Sequence, residues 1–159
     1  MIRQATLADA EAITKIYNHY IECSDATFET EQLTVDDMAQ RMKSLASHPF
    51  YVWDDGSSVV AYCYAHPWKE RAAYANTFET TVYVAPDSWR KGIGRALMMR
   101  LIDECGSRGI HALIACITAG NDGSIALHRQ LGFEEVSFFK EVGNKFNRWL
   151  GIIDMELLL

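Results

Sequence analysis

The sequence predicts an α/β fold, one domain over residues 1–159 built on a mixed sheet flanked by helices. Three observations carry this. Apolar residues recur at helical spacing in some segments and at a period of two in others. The two kinds of segment interleave along the chain, which favours one layered domain over separate helical and strand blocks. No low-complexity linker, charge block or repeat of about 20–50 residues divides the chain. With 49% apolar residues it can bury a real core, and 23% charged residues with only three prolines argue against disorder.

Ile2 to Thr6 reads as a short strand. Asp9 then caps an amphipathic run with Ala12, Ile13, Ile16, Tyr17 and Tyr20 at helical spacing, a helix from about Leu7 to Glu22. A second helix starts at Thr34, with Asp37 as its capping partner and Met38, Met42 and Leu45 along one face. It ends before His48-Pro49, because the residue preceding a proline avoids the helical region. "FETEQL" between these helices is a loop. From Phe50 the period changes to two, and the runs either side of Asp55-Gly56 form a hairpin. "NTFETTVYV" supplies another strand. The stretch "SWRKGIGRALMMRL" opens a long helix to about Ser107, closed by Gly106 and Gly109. The buried-type strand "HALIACIT", the helix "NDGSIALHRQLGF" and the strands "EEVSFFKE" and "GIIDMELLL" complete the order β-α-α-β-β-β-α-β-α-β-β.

Composition narrows the partners. A net charge of −6 without Lys/Arg clustering repels a phosphate backbone, so nucleic acid is not an expected partner. Cys23, Cys63, Cys105 and Cys116 form no C-x-x-C pair and the N-terminus lacks a secretory pattern, so reduced thiols in a cytoplasm are expected. No apolar run approaches the ~20 residues that span a bilayer. His19, His48, His66 and His111 have no metal-ligand spacing with one another or with the cysteines, so no metal is expected.

Gly92 and Gly94 pose the functional question. Each glycine near a helix interior costs roughly 0.5–1 kcal/mol relative to alanine, which suggests that a backbone must approach something closely. A phosphate fits: exposed N–H groups at a helix start attract anions, and Arg90, Lys91 and Arg95 surround the same turn. The stretch is neither a P-loop, lacking Lys-Ser/Thr after its second glycine, nor a dinucleotide motif, lacking the third glycine. A lone G-x-G equally suits a tight turn that packs a helix on a sheet.

The succession "VYV", "RKGIGR" and "NDGSIALHRQLGF" resembles the acetyl-CoA-binding core of the GCN5-related N-acetyltransferase (GNAT) superfamily. "NHYIE", "ATFET", "PWKERAAY", "ETTVYVAP" and "VGNKFNRWL" extend the resemblance, from about residue 2 to the C-terminus, to the branch that includes phosphinothricin and methionine sulfoximine acetyltransferases. It implies a mostly antiparallel sheet and acetyl-CoA as co-substrate. The backbone of Val82, Tyr83 and Val84 would bond the pantetheine arm, and the amides of Arg90, Lys91, Gly92, Ile93, Gly94 and Arg95 would hold the pyrophosphate. Asn121 and Ser124 match positions that bond the arm, although an N-cap and its N3 partner are equally sound chemistry for them. Trp89 departs from the usual Gln or Arg, which implies some loss or an altered ribose contact.

Acetyl transfer needs a neutral amine, and amines near pKa 10.4 are protonated at neutral pH. The period of two puts Glu79, Thr81 and Tyr83 on one face of their strand, opposite Thr80, Val82 and Val84. Glu79 matches the family's general base, with Phe78 and Tyr83 as apolar surroundings; its bland alternative is an exposed strand carboxylate. His128 stands where many relatives carry the tyrosine that protonates the leaving thiolate, and Tyr83 or water are the other donors. Lys69, Arg71 and Tyr74 resemble the branch's substrate loop and would face an anionic acceptor, with a solvated basic loop as the alternative. Phe28 is an apolar wall or a core residue, and Lys145, Phe146, Arg148 and Trp149 shape a far wall or a dimer contact, since the branch is typically dimeric. The resulting reading is direct transfer from acetyl-CoA to the amine of a small amino-acid-like acceptor of phosphinothricin, methionine sulfoximine or sulfone type. Another amine (a polyamine, an aminoglycoside or a protein N-terminus) is the runner-up, and a non-catalytic CoA-binding sensor is the rival from another class.

Overall fold

Backbone hydrogen bonding gathers the strand-type segments into one seven-stranded sheet in the order β1-β2-β3-β4-β5-β7-β6, parallel only between β4 and β5. The computed structural model describes residues 1–159. Its strands are β1 (Ile2–Gln4), β2 (Phe50–Asp54), β3 (Val59–Pro67), β4 (Thr77–Val84), β5 (Ala112–Thr118), β6 (Glu134–Lys145) and β7 (Arg148–Leu158). Its helices are α1 (Ala10–Cys23), α2 (Val35–Ser44), α3 (Ile93–Ser107) and α4 (Asp122–Gln130). This is the order the periodicities predict, in a mostly antiparallel α+β sheet.

Two local readings are corrected. Leu7–Asp9 is a 3-10 turn ahead of α1, and Asp9, at the N-cap position of α1, makes no side-chain cap there but closes a capping box on Thr6. Its carboxylate accepts the Thr6 N–H at 2.8 Å and two bonds from the Arg3 guanidinium at 2.8 and 2.9 Å. The last two strands also run further than their alternation suggested. Phe146 and Asn147, at φ 52° and 59°, make a tight turn that lets β6 extend to Lys145 and β7 begin at Arg148. The capping pair of α2 is as expected: Asp37 accepts the Thr34 N–H at 2.9 Å and returns its own N–H to the Thr34 hydroxyl at 3.1 Å.

Helices cover the sheet on both faces. α1 and α2 pack Ile13, Ile16, Met38 and Met42 against Val52 and Tyr62. α3 packs Leu97, Met98 and Leu101 on the opposite face against Ala61, Cys63 and Phe78. β4 lies between the two cores and alternates: Val82 and Val84 join the α3 side, Tyr83 the α1 side.

Candidate active site

The parallel ladder between β4 and β5 is short. It joins Thr77–Glu79 to Ala112–Ile114 and stops, while β4 stays paired with β3 as far as Val84 and β5 stays paired with β7 as far as Thr118. The strands therefore splay, opening onto a cavity of about 1210 Å³ that contains both the Gly92/Gly94 turn and Glu79. Ala85 donates its N–H to Val60 O at 2.8 Å, and alternation along an antiparallel pair then turns the backbone of Tyr83 toward β3 and those of Val82 and Val84 toward the gap. Of the three backbones assigned to the arm, the outer two face the opening. Tyr83 offers its ring instead.

α3 starts at the wide end of this gap. Arg90 and Gly92 adopt left-handed φ values of 61° and 77°, which brings successive amides round to one side. None of the six N–H groups from Arg90 to Arg95 meets an acceptor within the protein; the first helical donor is Ala96, to Gly92 O at 3.0 Å. Six open amides at a helix start, flanked by the exposed Arg90 and Arg95, form an anion cradle. A Cβ on Gly94 would sit 3.5 Å from Val84 Cγ2 and 3.7 Å from Leu127 Cδ2, so this glycine marks the narrow waist between β4 and α4. Trp89 has a different task from the residues usual at its place. Its indole N–H donates to Val84 O at 2.9 Å, which also accepts the Tyr20 hydroxyl at 2.6 Å, and so fixes the end of β4 to α1.

Glu79 lies half-buried on the α1 side of β4 and lines the cavity. Burial pushes its carboxyl upward, the neighbouring His66 eases it back, and Asp154 raises it again. Phe78 contributes nothing to this, because it points to the opposite face and packs with α3. Tyr83 is joined in an aromatic wall by three tyrosines that the sequence did not assign to the site: its ring meets Tyr17 at 5.3 Å and Tyr20 at 4.8 Å, and Tyr64 lines the same cavity. Their signal was present as period-two and helical spacing of tyrosines, legible only once β3 and α1 are known to share a face. Cys116 also lines the cavity, with its thiol pushed up to about 12 by burial and by Asp154 and Glu79. It stays an uncharged thiol.

His128 is buried in α4 with its Nδ1 2.8 Å from Ser124 O, so a neutral ring carries its proton on Nδ1 and donates it to that carbonyl. The ring stands edge-on to Phe133 at 5.0 Å, and burial lowers its affinity for a second proton. Asn121 is the N-cap of α4, its Oδ1 accepting the Ser124 N–H at 3.2 Å, and both residues line the cavity.

One side of the cavity is walled by residues 24–28. Lys145, buried in β6, donates to Ser24 O at 2.6 Å and Thr27 O at 2.8 Å, Thr118 donates to Asp25 O at 2.6 Å, and Arg148 pairs with Asp25 at 3.0 Å. Lys145 and Arg148 thus fasten the wall, while Phe146 and Trp149 point into solvent. Phe28 ends this wall with its ring packed against Gly143, where an added Cβ would overlap the ring. Gly143→Ala should therefore displace Phe28 and raise the acceptor KM several-fold while acetyl-CoA affinity holds; steady-state kinetics with each substrate varied would check it. Lys69, Arg71 and Tyr74 do not line the cavity. The Lys69 ammonium sits 4.1 Å from the Trp68 ring and 5.4 Å from Tyr74, which ties the loop to itself. Arg71 is exposed with no acidic partner. The loop joins β3 to β4 at the Glu79 end, where His66 pairs with Glu79, so it borders the rim.

A family model described as "Acetyltransferase (GNAT) family" matches residues 13–133. The L-methionine sulfoximine/L-methionine sulfone acetyltransferase of Salmonella typhimurium is 36% identical over 99% of this chain and 94% of its own. Among solved structures, the phosphinothricin acetyltransferase of Sinorhizobium meliloti in complex with AcCoA superposes with a TM-score of 0.96 at 35% identity, over 100% of this chain and 88% of that one. The ribosomal-protein-alanine N-acetyltransferase of Brucella melitensis does so with a TM-score of 0.97 at 38% identity, over 100% and 99%.

Proposed function

Starting from the fact that this chain belongs to the acetyltransferase (GNAT) family and is an acetyl-CoA-dependent N-acetyltransferase, we propose that its acceptor is the α-amine of a small amino-acid analogue of the methionine sulfoximine or phosphinothricin type. The observation that carries the reading is the splay itself, which runs from six open amides at α3 to a half-buried carboxylate on β4.

In this reading the amides of Arg90–Arg95 take the pyrophosphate, with Arg90 and Arg95 adding charge. The gap-facing backbones of Val82 and Val84 align the pantetheine arm as an extra strand would, and Asn121 and Ser124 bound it on the α4 side. Glu79 removes a proton from the acceptor's ammonium. The freed amine attacks the thioester carbonyl, the C–S bond breaks as the C–N bond is completed, and the thiolate of CoA takes up a proton. His128 can supply that proton as the imidazolium, from Nε2 with Nδ1 still bonded to Ser124 O, but burial disfavours that charged form; Tyr83, whose phenol burial keeps protonated, or a water are the other donors. A thiol at Cys116 held as S–H is a poor nucleophile, which favours direct transfer.

Release of free CoA thiol from acetyl-CoA, followed across a panel of amines, tests the proposal: turnover must require an amine and be greatest for the sulfoximine, sulfone or phosphinothricin. A peptide beginning with alanine belongs in the panel, since the similarity to the Brucella protein favours a protein N-terminus as second reading. Arg71, at the rim without an acidic partner, is proposed to meet the acceptor's acidic group. Arg71→Ala should raise KM for anionic acceptors by roughly tenfold, the weight of one exposed charge-assisted pair, and leave a neutral amine unaffected.

Two surroundings complete the proposal. The edge strand β6 exposes Val136, Phe138, Phe139 and Val142, an apolar margin suited to a homodimer. All four cysteines are free, which suits a reducing cytoplasm, and no helix is long and apolar enough to cross a membrane.

A further inference from the structure

The register of the sheet places a second carboxylate on the same face as Glu79, just beyond the residues that line the cavity. Glu79 is opposite Ile114 on β5; two residues along β5, Cys116 is opposite Asp154 on β7. Side chains two apart on a strand share a face, so Glu79, Cys116 and Asp154 lie along one diagonal of the acceptor-facing side, with the cavity-lining Cys116 between the acids. Two strand spacings and a two-residue step along the strand separate the two backbones, roughly 12 Å. Asp154 is half-buried and accepts a bond from the Ser137 hydroxyl at 2.9 Å. No Lys or Arg pairs with either acid.

We propose that Asp154 is a positioning residue for acetyl transfer, holding a second negative charge across Cys116 from Glu79 so that the acceptor is drawn in as its ammonium ion and Glu79 works as a stronger base.

Like charges that no cation neutralises oppose each other's ionisation, and each attracts a positive ligand into the space between. The groups facing Glu79 are His66 and Tyr64 from β3, Cys116 from β5 and Asp154 from β7. Tyr64 and Cys116 are held uncharged by burial, and His66 acts in the opposite sense to Asp154, so Asp154 is the negative neighbour available to strengthen the base. Ser137 lies on β6, on the far side of β7 from Cys116, and its bond holds the Asp154 carboxylate on this face of the sheet.

The inference rests on Glu79 being the base, and its test separates the two. The pH profile of kcat/KM is measured for the parent, Asp154→Asn, Asp154→Glu and Glu79→Gln, with the acceptor that the amine panel selects. Removing a negative neighbour lowers the pKa of Glu79, so the acidic limb of Asp154→Asn should move to lower pH by roughly half to one unit. The acceptor KM should rise several-fold as the ammonium loses an attraction, and Asp154→Glu should restore the parent limb. An unchanged Kd for acetyl-CoA in Asp154→Asn verifies folding. An acidic limb that stays in place in Asp154→Asn, with Glu79→Gln inactive, would overturn the role of Asp154 alone. A Glu79→Gln variant at parental rate would remove the base on which it depends.

Discussion

Glu79→Gln should lower kcat by roughly 10²–10⁴ while acetyl-CoA binds as before, the usual weight of a positioned general base. The substitution keeps the size of the side chain and its place on β4, so the ladder to His66 and Ile114 persists and only proton transfer is lost. The sign of the pH dependence follows from the raised carboxyl: burial and Asp154 disfavour the ionised form. Activity should therefore fall as pH drops through a value above the ordinary carboxylate range, and the loss should be absent from whatever residual rate Glu79→Gln retains. Stopped-flow thiol release, followed as the pH is lowered from neutrality, would check both statements. Parental turnover in the variant would mean that a water chain or another group removes the proton.

Gly94→Val acts at the other end of the cleft. The waist there already leaves a built Cβ at 3.5 Å from Val84 and 3.7 Å from Leu127, so the two further methyl groups of valine have only the open gap to occupy. In the proposed binding mode that gap carries the pantetheine arm. Acetyl-CoA affinity should fall roughly tenfold to a hundredfold, about 1.4–3 kcal/mol. The helical φ of Gly94 accepts valine, unlike the left-handed Gly92, so the fold should persist. Calorimetric titration measures the loss, and unchanged affinity would place the arm elsewhere.

Much of this was legible in the sequence, and the misses share a cause. Alternation in "FETTVYV" gave the face of Glu79, and the glycines gave the anion cradle, because both are local properties of one segment. The aromatic wall of Tyr17, Tyr20 and Tyr64, the Lys145 strap and the Asp154–Cys116–Glu79 diagonal all depend on register between segments far apart in the chain, which no local periodicity encodes. Phe78 shows the same limit in reverse: adjacent to Glu79 in sequence, it faces the other core. The length of β6 and β7 was underestimated because Gly143 and Asn144 are poor strand formers, and their pairing is imposed by the turn at Phe146-Asn147. The loop carrying Lys69 and Arg71 was read by likeness alone, and its self-stacked lysine came from tertiary geometry.

The short ladder between β4 and β5 has a mechanical consequence. Three residue pairs are all the strand ladder that joins the part of the sheet made by β1 to β4 to the part made by β5 to β7, and the rest of the seam is held by the α3 core and by the Lys145 and Thr118 bonds to residues 24–28. A donor lodged in the splay bridges both sides and acts as a removable staple. Its binding free energy adds to the cohesion of that seam in proportion to the logarithm of its concentration over Kd. The resistance of this enzyme to unfolding and proteolysis is thus coupled to the supply of its own acyl donor, and a cell short of acetyl-CoA would hold a looser protein as well as a slower one.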